Sequence, residues 1–212
     1  MNAKTDKLLS VLKLQPVVPV LIVDSAKDAV PLARALVAGG LKAIEVTMRT
    51  PAALDAVRAV ADEVEGAVPG AGTILNAQHF EQAVAAGAQF IVSPGATRNL
   101  VEAASGSEVP LLPGAGSPSE IMSLLEADIS VMKFFPAEQS GGAAYLKSLA
   151  SPFGSVQFCP TGGISLKNAM DYLSLPNVIC VGGSWVAPKD LVAKGDWEGI
   201  TKLAAEACAL RG

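Results

Sequence analysis

Residues 17–47 read VVPVLIVDSAKDAVPLARALVAGGLKAIEVT, in which a helical stretch separates two apolar runs. The runs are Val17–Val23 and Leu41–Thr47, and the alanine-rich segment Ala26–Ala38 between them is typical of a helix. A strand, a helix and a second strand in this order favour two parallel strands covered by the connecting helix. This stretch therefore predicts an α/β fold.

The same alternation continues towards the C-terminus. The six further apolar runs, read as strands, are Ala67–Gly72, Phe90–Ser93, Val109–Pro113, Ile129–Phe135, Val156–Pro160 and Val178–Val181. The other helical candidates are Pro51–Val64, Ala77–Ala86, Pro118–Glu126, Leu166–Leu173 and Trp197–Leu210. Eight runs in this pattern favour closure into a (β/α)8 TIM barrel, with a doubly wound open sheet as the alternative.

The N-terminal segment predicts an additional element. Leucines at positions 8, 9, 12 and 14 suggest a short amphipathic helix within residues 1–16, which we expect to pack on the barrel. No stretch of the chain reads as a linker or a low-complexity tail. We therefore expect residues 1–212 to form a single (β/α)8 barrel domain.

The composition argues against several classes of protein. The net charge is −4 and the sixteen Lys and Arg residues are scattered, which disfavours a nucleic-acid surface but is compatible with a small anionic ligand. No apolar run approaches the ~18 residues of a membrane span, and the N-terminus has no uninterrupted apolar segment typical of a signal peptide. Cys159, Cys180 and Cys208 are an odd number at no metal-ligand spacing, so we expect reduced thiols and a cytoplasmic protein.

The single histidine, His79, also narrows the chemistry. It lies in a polar helical stretch, where a lone histidine has no partners for a metal site or a Ser/His/Asp triad. A Walker A sequence and a full G-x-G-x-x-G fingerprint do not occur. We therefore expect no metal site.

The most informative residue is Lys133, which lies in the apolar run ISVMKFFP at residues 129–136. Burial disfavours the charged form of an amine and makes it nucleophilic enough to condense with a carbonyl near neutral pH. The alternative is a lysine at a strand end, whose stem packs on apolar neighbours while its ammonium group reaches water.

The second predicted strand ends in two ionisable residues, Glu45 and Arg49, in the segment IEVTMRT at residues 44–50. Strand ends of this kind surround the active site of a barrel. Amine catalysis needs a second group that moves protons, and Glu45 is the candidate. Arg49 suits the carboxylate beside the carbonyl of a 2-oxo acid. The alternative is a structural ion pair between Glu45 and Arg49.

Further candidates follow other predicted strands. Thr73 is a candidate for binding the same carboxylate, with helix capping as the alternative role, and Pro94 shapes a turn at the pocket wall. The glycine pairs Gly162–Gly163 and Gly182–Gly183 follow the last two strands, where barrel enzymes commonly bind phosphate through backbone N–H groups. These pairs predict a phosphate site.

Six segments together closely resemble the 2-keto-3-deoxy-6-phosphogluconate (KDPG) aldolases, whose members often cleave 4-hydroxy-2-oxoglutarate (KHG) as well. The segments are EVTMRT (45–50), GAGT (70–73), SPG (93–95), KFFPAE (133–138), PTGGI (160–164) and GGSW (182–185). They come in the order of that family, and the resemblance runs from about Val17 to the C-terminal helix. It implies a class I aldolase that cleaves 2-dehydro-3-deoxy-6-phosphogluconate to pyruvate and glyceraldehyde 3-phosphate in the Entner–Doudoroff route.

The resemblance also implies roles for individual residues. It implies that Lys133 forms the Schiff base with the 2-oxo carbon, that Glu45 shuttles protons through water, and that Arg49 with Thr73 binds the carboxylate. The implied pocket residues are Pro94, Phe135 and Thr161, and the implied phosphate ligands are Gly162, Gly163, Gly183 and Ser184. A homotrimer that acts on a phosphorylated 2-oxo sugar acid, without metal or organic cofactor, is implied as well.

Two departures from the family pattern leave alternatives open. Met48 stands where leucine is expected, which is a tolerated core substitution, and Ala115–Ser117 is a smaller, more flexible segment that leaves the substrate range open. One alternative is an aldolase for the C4-epimeric 2-dehydro-3-deoxy-6-phosphogalactonate. Another is a non-catalytic sugar-phosphate-binding barrel, in which Lys133 and Arg49 merely neutralise an anion.

Overall fold

The computed structural model describes residues 3–211, in which helices alternate with strands. The strands are β1 (Val17–Leu21), β2 (Ala43–Thr47), β3 (Val68–Gly72), β4 (Phe90–Val92), β5 (Leu111–Leu112), β6 (Gly114–Ala115), β7 (Val131–Phe134), β8 (Gln157–Pro160) and β9 (Val181–Gly183). The helices are α1 (Ala3–Leu12), α2 (Ala26–Ala38), α3 (Ala53–Glu63), α4 (Ala77–Ala85), α5 (Arg98–Ser105), α6 (Pro118–Leu125), α7 (Gly142–Leu149), α8 (Ala169–Leu173), α9 (Lys189–Lys194) and α10 (Trp197–Cys208). The ends of two predictions, residues 1 and 2 of the N-terminal helix and residue 212 of the domain, lie outside the described residues.

The pairings between these strands are parallel. Six strands form one sheet in the order β5-β4-β3-β2-β1-β9, and three form a second sheet in the order β6-β7-β8. Two parallel bridges, Phe158 with Val178 and Thr161 with Gly182, connect β8 to the segment that contains β9. The fold is therefore α/β with a parallel, curled sheet.

A proline lies at the end of the fifth predicted strand. Pro113 separates β5 from β6, because proline has no N–H to donate to a neighbouring strand. Its carbonyl still accepts a hydrogen bond from the N–H of Lys133 at 2.8 Å. The strand predicted for Val109–Pro113 is thus shortened to β5, and β6, which was not predicted, follows directly after the proline.

The last strand lies further along the chain than the sequence predicts. The predicted strand is Val178–Val181, whereas β9 runs from Val181 to Gly183 and pairs Gly182 with Val18 of β1. Pairing between strands uses backbone groups and needs no side chain. Gly182 and Gly183, which the sequence pattern assigns to a loop, therefore extend the sheet.

Successive residues of a strand face two different cores. On β7, Met132 and Phe134 belong to the large core that the helices cover, whereas Val131 belongs to a second cluster with Leu12 of α1. Helix α1 therefore packs against the inward-facing residues of the strands. Because side chains alternate along a strand, Lys133 faces the same side as Val131, inside the curl of the sheet.

Three helices, α5, α7 and α9, are not among the predicted ones. They are short: α9 has no buried residue, and the buried residues of α5 are Leu100 and Ala104. Helices of 6 to 8 residues span about two turns and offer too few apolar positions for a periodic pattern to identify them in a sequence. Their ends carry the signal instead: Thr97 Oγ1 accepts the N–H of Leu100 at the start of α5, and Gly141, with φ 110, precedes α7.

In residues 3–211, no helix combines the length and the apolar character needed to cross a membrane. Cys159, Cys180 and Cys208 are thiols, and the first two are buried. Cys159 and Cys180 lie in the same inward-facing cluster as α1.

Candidate active site

Two buried charges meet inside the curl of the sheet. Lys133 on β7 places its Nζ 3.5 Å from Oε1 of Glu45 on β2, and the two side chains are only 5% and 4% exposed. Strands β2 and β7 belong to different sheets, so this contact spans the space that the curled sheet encloses. A carboxylate this close can exchange a proton with the amine directly or through one water molecule. The alternative of a lysine that reaches water is wrong, because the amine is buried.

Uncharged residues also flank Lys133. Its register partners are Gly114 of β6 and Cys159 of β8, and the centroid of the Phe135 ring lies 5.2 Å from Nζ. An aromatic face at this distance attracts a cation, and the apolar walls limit access of water. Among the described residues, Glu45 supplies the charge that compensates the Lys133 ammonium group.

Arg49 and Thr73 form a second contact beyond the ends of β2 and β3. Arg49 Nε donates a hydrogen bond to Thr73 Oγ1 at 3.2 Å, and the exposed guanidinium has further N–H groups for an anion. Asn76 caps α4, so the helix-cap role considered for Thr73 is wrong. The structural ion pair considered for Glu45 and Arg49 is not formed among the described residues, since Glu45 pairs with Lys133.

The three predicted pocket residues lie beside β6 and β7. Pro94 follows β4, and its carbonyl packs against β6, the strand beside Lys133. Phe135 is half-buried directly after β7. Thr161 is 7% exposed, and its N–H donates to a carbonyl of β7 at 2.9 Å.

The two glycine segments lie side by side. The bridge from Thr161 to Gly182 places Gly162–Gly163 next to Gly183, and Ser184 is exposed directly after β9. The φ angles of Gly162 and Gly163 are 106° and 75°, a region that residues with a side chain rarely adopt. The structure therefore brings all four predicted phosphate ligands to the ends of two adjacent segments.

Residues 8–203 match the model of the KDPG and KHG aldolase family. This chain belongs to that family. The KHG/KDPG aldolase of Escherichia coli is 51% identical over 198 residues, which is 93% of each chain. The 2-dehydro-3-deoxy-phosphogluconate aldolase of Dickeya dadantii is 50% identical over 194 residues, which is 92% of this chain and 91% of that protein.

Solved structures of the same family share the fold. The KDPG aldolase of Zymomonas mobilis, determined with 3-phosphoglycerate, has a TM-score of 0.94 at 49% identity, over 99% of this chain and 98% of that one. The KDPG aldolase of Legionella pneumophila, determined with pyruvate as a covalent carbinolamine intermediate, has a TM-score of 0.92 at 44% identity, over 94% of this chain and 97% of that one.

One contact beside the glycine segment of this aldolase has no signal in the sequence. The Tyr172 hydroxyl donates to Glu138 Oε1, and the Glu138 N–H donates to the carbonyl of Gly162 at 3.1 Å. Burial raises the pKa of Tyr172, and the hydrogen bond to Glu138 and its charge raise that pKa further. Glu138 thus links α8 to the glycine segment, although Tyr172 lies 34 positions away along the chain.

The segment Ala115–Ser117, expected to be more flexible than usual in this family, is held by a capping box. Glu120 Oε2 accepts the Gly116 N–H at 2.9 Å and the Ser117 hydroxyl at 2.8 Å, while Ser117 Oγ accepts the Glu120 N–H at 3.4 Å. The hydrogen bond from Gly116, and then that from Ser117, lower the pKa of Glu120. These bonds tie the segment to the first turn of α6.

Proposed function

We propose that this chain is a class I aldolase that cleaves 2-dehydro-3-deoxy-6-phosphogluconate to pyruvate and glyceraldehyde 3-phosphate. The observation that carries the proposal is the buried Lys133 amine 3.5 Å from the Glu45 carboxylate. A non-catalytic anion site needs positive charge alone, and a buried carboxylate beside the amine would weaken it. An imine-forming enzyme needs both an amine and a proton carrier.

In the proposed reaction, the Lys133 amine adds to the 2-oxo carbon, and loss of water gives a protonated imine. Glu45 takes the proton of the C4 hydroxyl through water, the C3–C4 bond breaks, and glyceraldehyde 3-phosphate leaves as an aldehyde. The electron pair of that bond moves into the imine, which becomes an enamine. Protonation at C3 and hydrolysis then release pyruvate and restore the amine. The imine itself takes the electron pair, so the scheme needs no metal or organic cofactor.

Binding roles follow from the ends of the strands. We assign the carboxylate beside the 2-oxo carbon to Arg49 and Thr73, which already contact each other at 3.2 Å. Pro94, Phe135 and Thr161 line the pocket around Lys133. We assign the phosphate to Gly162, Gly163, Gly183 and Ser184, because backbone N–H groups after the last strands suit an anion.

The relatives support the substrate class. The Legionella pneumophila structure carries pyruvate as a covalent carbinolamine, which is the adduct that precedes an imine. The Zymomonas mobilis structure carries 3-phosphoglycerate, a phosphorylated acid related to the proposed aldehyde product. The name of the Escherichia coli relative covers both substrates, so we propose that 4-hydroxy-2-oxoglutarate is cleaved as well.

We further propose that residues 1–212 form one (β/α)8 TIM barrel with an extra N-terminal helix. The two sheets are connected at both edges, which supports closure. At one edge, Thr161 after β8 bridges Gly182 of β9, and at the other, β5 of one sheet continues through Pro113 into β6 of the other. Burial of Leu8 and Leu12 with inward-facing strand residues supports a helix packed on the barrel. The homotrimer and the cytoplasmic location stay predictions, for which gel filtration with light scattering and cell fractionation are the tests.

Reductive trapping tests the proposed function. Pyruvate with borohydride should add one mass increment to the protein, and peptide mapping should locate it on Lys133. Lys133→Gln should abolish the adduct, whereas Lys147→Arg, which replaces an exposed lysine of α7, should retain it. If no adduct forms under conditions that label a known imine-forming aldolase, the non-catalytic binding barrel is favoured instead. Cleavage rates on the phosphogluconate and phosphogalactonate substrates then decide between the two C4 epimers.

A further inference from the structure

Gly72, the last residue of β3, lies directly beside the Glu45 side chain. A Cβ placed on Gly72 would lie 2.6 Å from Glu45 Cγ and would overlap the carboxylate itself. Separations below about 3 Å are not found for real Cβ atoms, so the two groups cannot both occupy this space. The φ of Gly72 is not in the left-handed region, so its backbone conformation does not require glycine. The nearby carboxylate is therefore the physical reason for a glycine here.

The surroundings indicate which group would move. Gly72 is hydrogen-bonded into the sheet, because its carbonyl accepts the Met48 N–H at 2.8 Å and its register partner is Thr47. Thr47 is fully buried, and its hydroxyl donates to the carbonyl of Leu21 at 2.8 Å. Both backbones are thus held, whereas the Glu45 side chain ends in torsions that can rotate. A methyl group on Gly72 would push the carboxylate away from its present position beside Lys133.

We propose that Gly72 is a positioning residue of the active site: its missing side chain provides the space in which Glu45 is held 3.5 Å from Lys133. This inference rests on the proposed function, in which Glu45 moves protons for the imine chemistry. Positioned acid–base groups contribute about 10²–10⁴-fold to rate, so Gly72→Ala should lower kcat about 100-fold. Its KM should change little, because Arg49 and Thr73 still bind the substrate carboxylate.

Gly70 offers a matched control on the same strand and face. The atoms nearest to a Cβ on Gly70 would be those of the Phe90 ring, whereas the atoms nearest to a Cβ on Gly72 are those of the Glu45 side chain. Gly70→Ala should therefore lower the melting temperature while leaving kcat per folded molecule within about threefold of the wild type. If Gly70→Ala and Gly72→Ala lose kcat equally, the loss reflects general damage to β3, and the positioning role is wrong.

A double-mutant cycle with Glu45→Ala gives the decisive test. In the wild-type background Gly72→Ala should lower kcat about 100-fold, whereas in the Glu45→Ala background it should lower kcat less than about threefold, since no carboxylate remains to be displaced. Exchange of the pyruvate methyl protons with deuterated water, followed by NMR, should show the same non-additivity, because it reports the proton transfers at C3. Equal losses in both backgrounds, or no loss in either, would overturn the inference.

Two further outcomes are also decisive. If Gly72→Ala does not fold, the double variant with Glu45→Ala should fold, because the carboxylate that the methyl group would meet is gone. A double variant that also fails to fold would show that the methyl group meets another group, and it would overturn the inference. The wild-type protein is measured first in every series. If the wild type neither cleaves substrate nor forms the pyruvate adduct, the proposed function fails, whereas an active wild type with an unaffected Gly72→Ala variant rejects the positioning role alone.

Discussion

Replacing Lys133 with methionine and Glu45 with glutamine, singly and together, tests whether the buried pair is a coupled ion pair. At 3.5 Å, and with the effective dielectric constant of ~20 that suits protein sites, the attraction between the two charges is about 5 kcal/mol. Loss of hydration by both ions offsets much of that attraction. We therefore expect Lys133→Met to lower the free energy of unfolding by about 3 kcal/mol, because it leaves the carboxylate buried without a cation.

The double variant should regain most of this loss, because two neutral side chains of similar size need no compensating charge. Urea unfolding at neutral pH, followed by circular dichroism, gives the four free energies of the cycle. We expect a coupling energy of about 3 kcal/mol between the two substitutions. Single losses that simply add in the double variant would refute the reasoning, since they would mean that the two groups do not interact as charges. All three variants should cleave substrate more slowly than the wild type. The double variant should thus regain stability without regaining activity.

Four further predictions concern hydrogen bonds and packing elsewhere in the chain. Thr73→Val removes the hydroxyl that accepts the hydrogen bond of Arg49 Nε, and it should raise KM about tenfold in steady-state assays. Thr73→Ser keeps that hydroxyl and should leave KM unchanged. Equal KM values for the two variants would contradict the proposed contact. The lowered pKa of Glu120 means that its contribution to stability is present above the pKa of an unfolded glutamate and is lost as the pH falls through the lowered folded value. The melting temperature of Glu120→Gln should accordingly fall less on acidification than that of the wild type, and parallel curves of melting temperature against pH would count against this. Ser117→Ala removes the N-cap of α6 and should lower the free energy of unfolding, measured in urea, by about 1 kcal/mol. Phe158→Ala, at a fully buried position, should lower that free energy by about 3–5 kcal/mol, and a loss below about 1 kcal/mol would show that the site is loosely packed.

Local patterns were sufficient to predict most of the secondary structure. The apolar runs and alanine-rich stretches identify β1, β2, β7 and six of the later helices, because side-chain period and helix ends depend on neighbours within a few residues. They also single out Lys133, since an amine within an apolar strand is unusual wherever that strand lies. They fail where the local signal is weak, as in α9, which has no buried residue, and in β9, where glycines extend the sheet.

By itself, the sequence determined the α/β class, the family resemblance and the residue types available for an aldolase site. Only the tertiary structure decided which of those residues touch. Lys133 meets Glu45 across 88 positions, Arg49 meets Thr73 across 24, and Gly72 leaves room for a carboxylate on the neighbouring strand. The physical reason is that strand alternation sets which side a residue faces, whereas the curl of the sheet sets which inward-facing residues come within hydrogen-bonding distance.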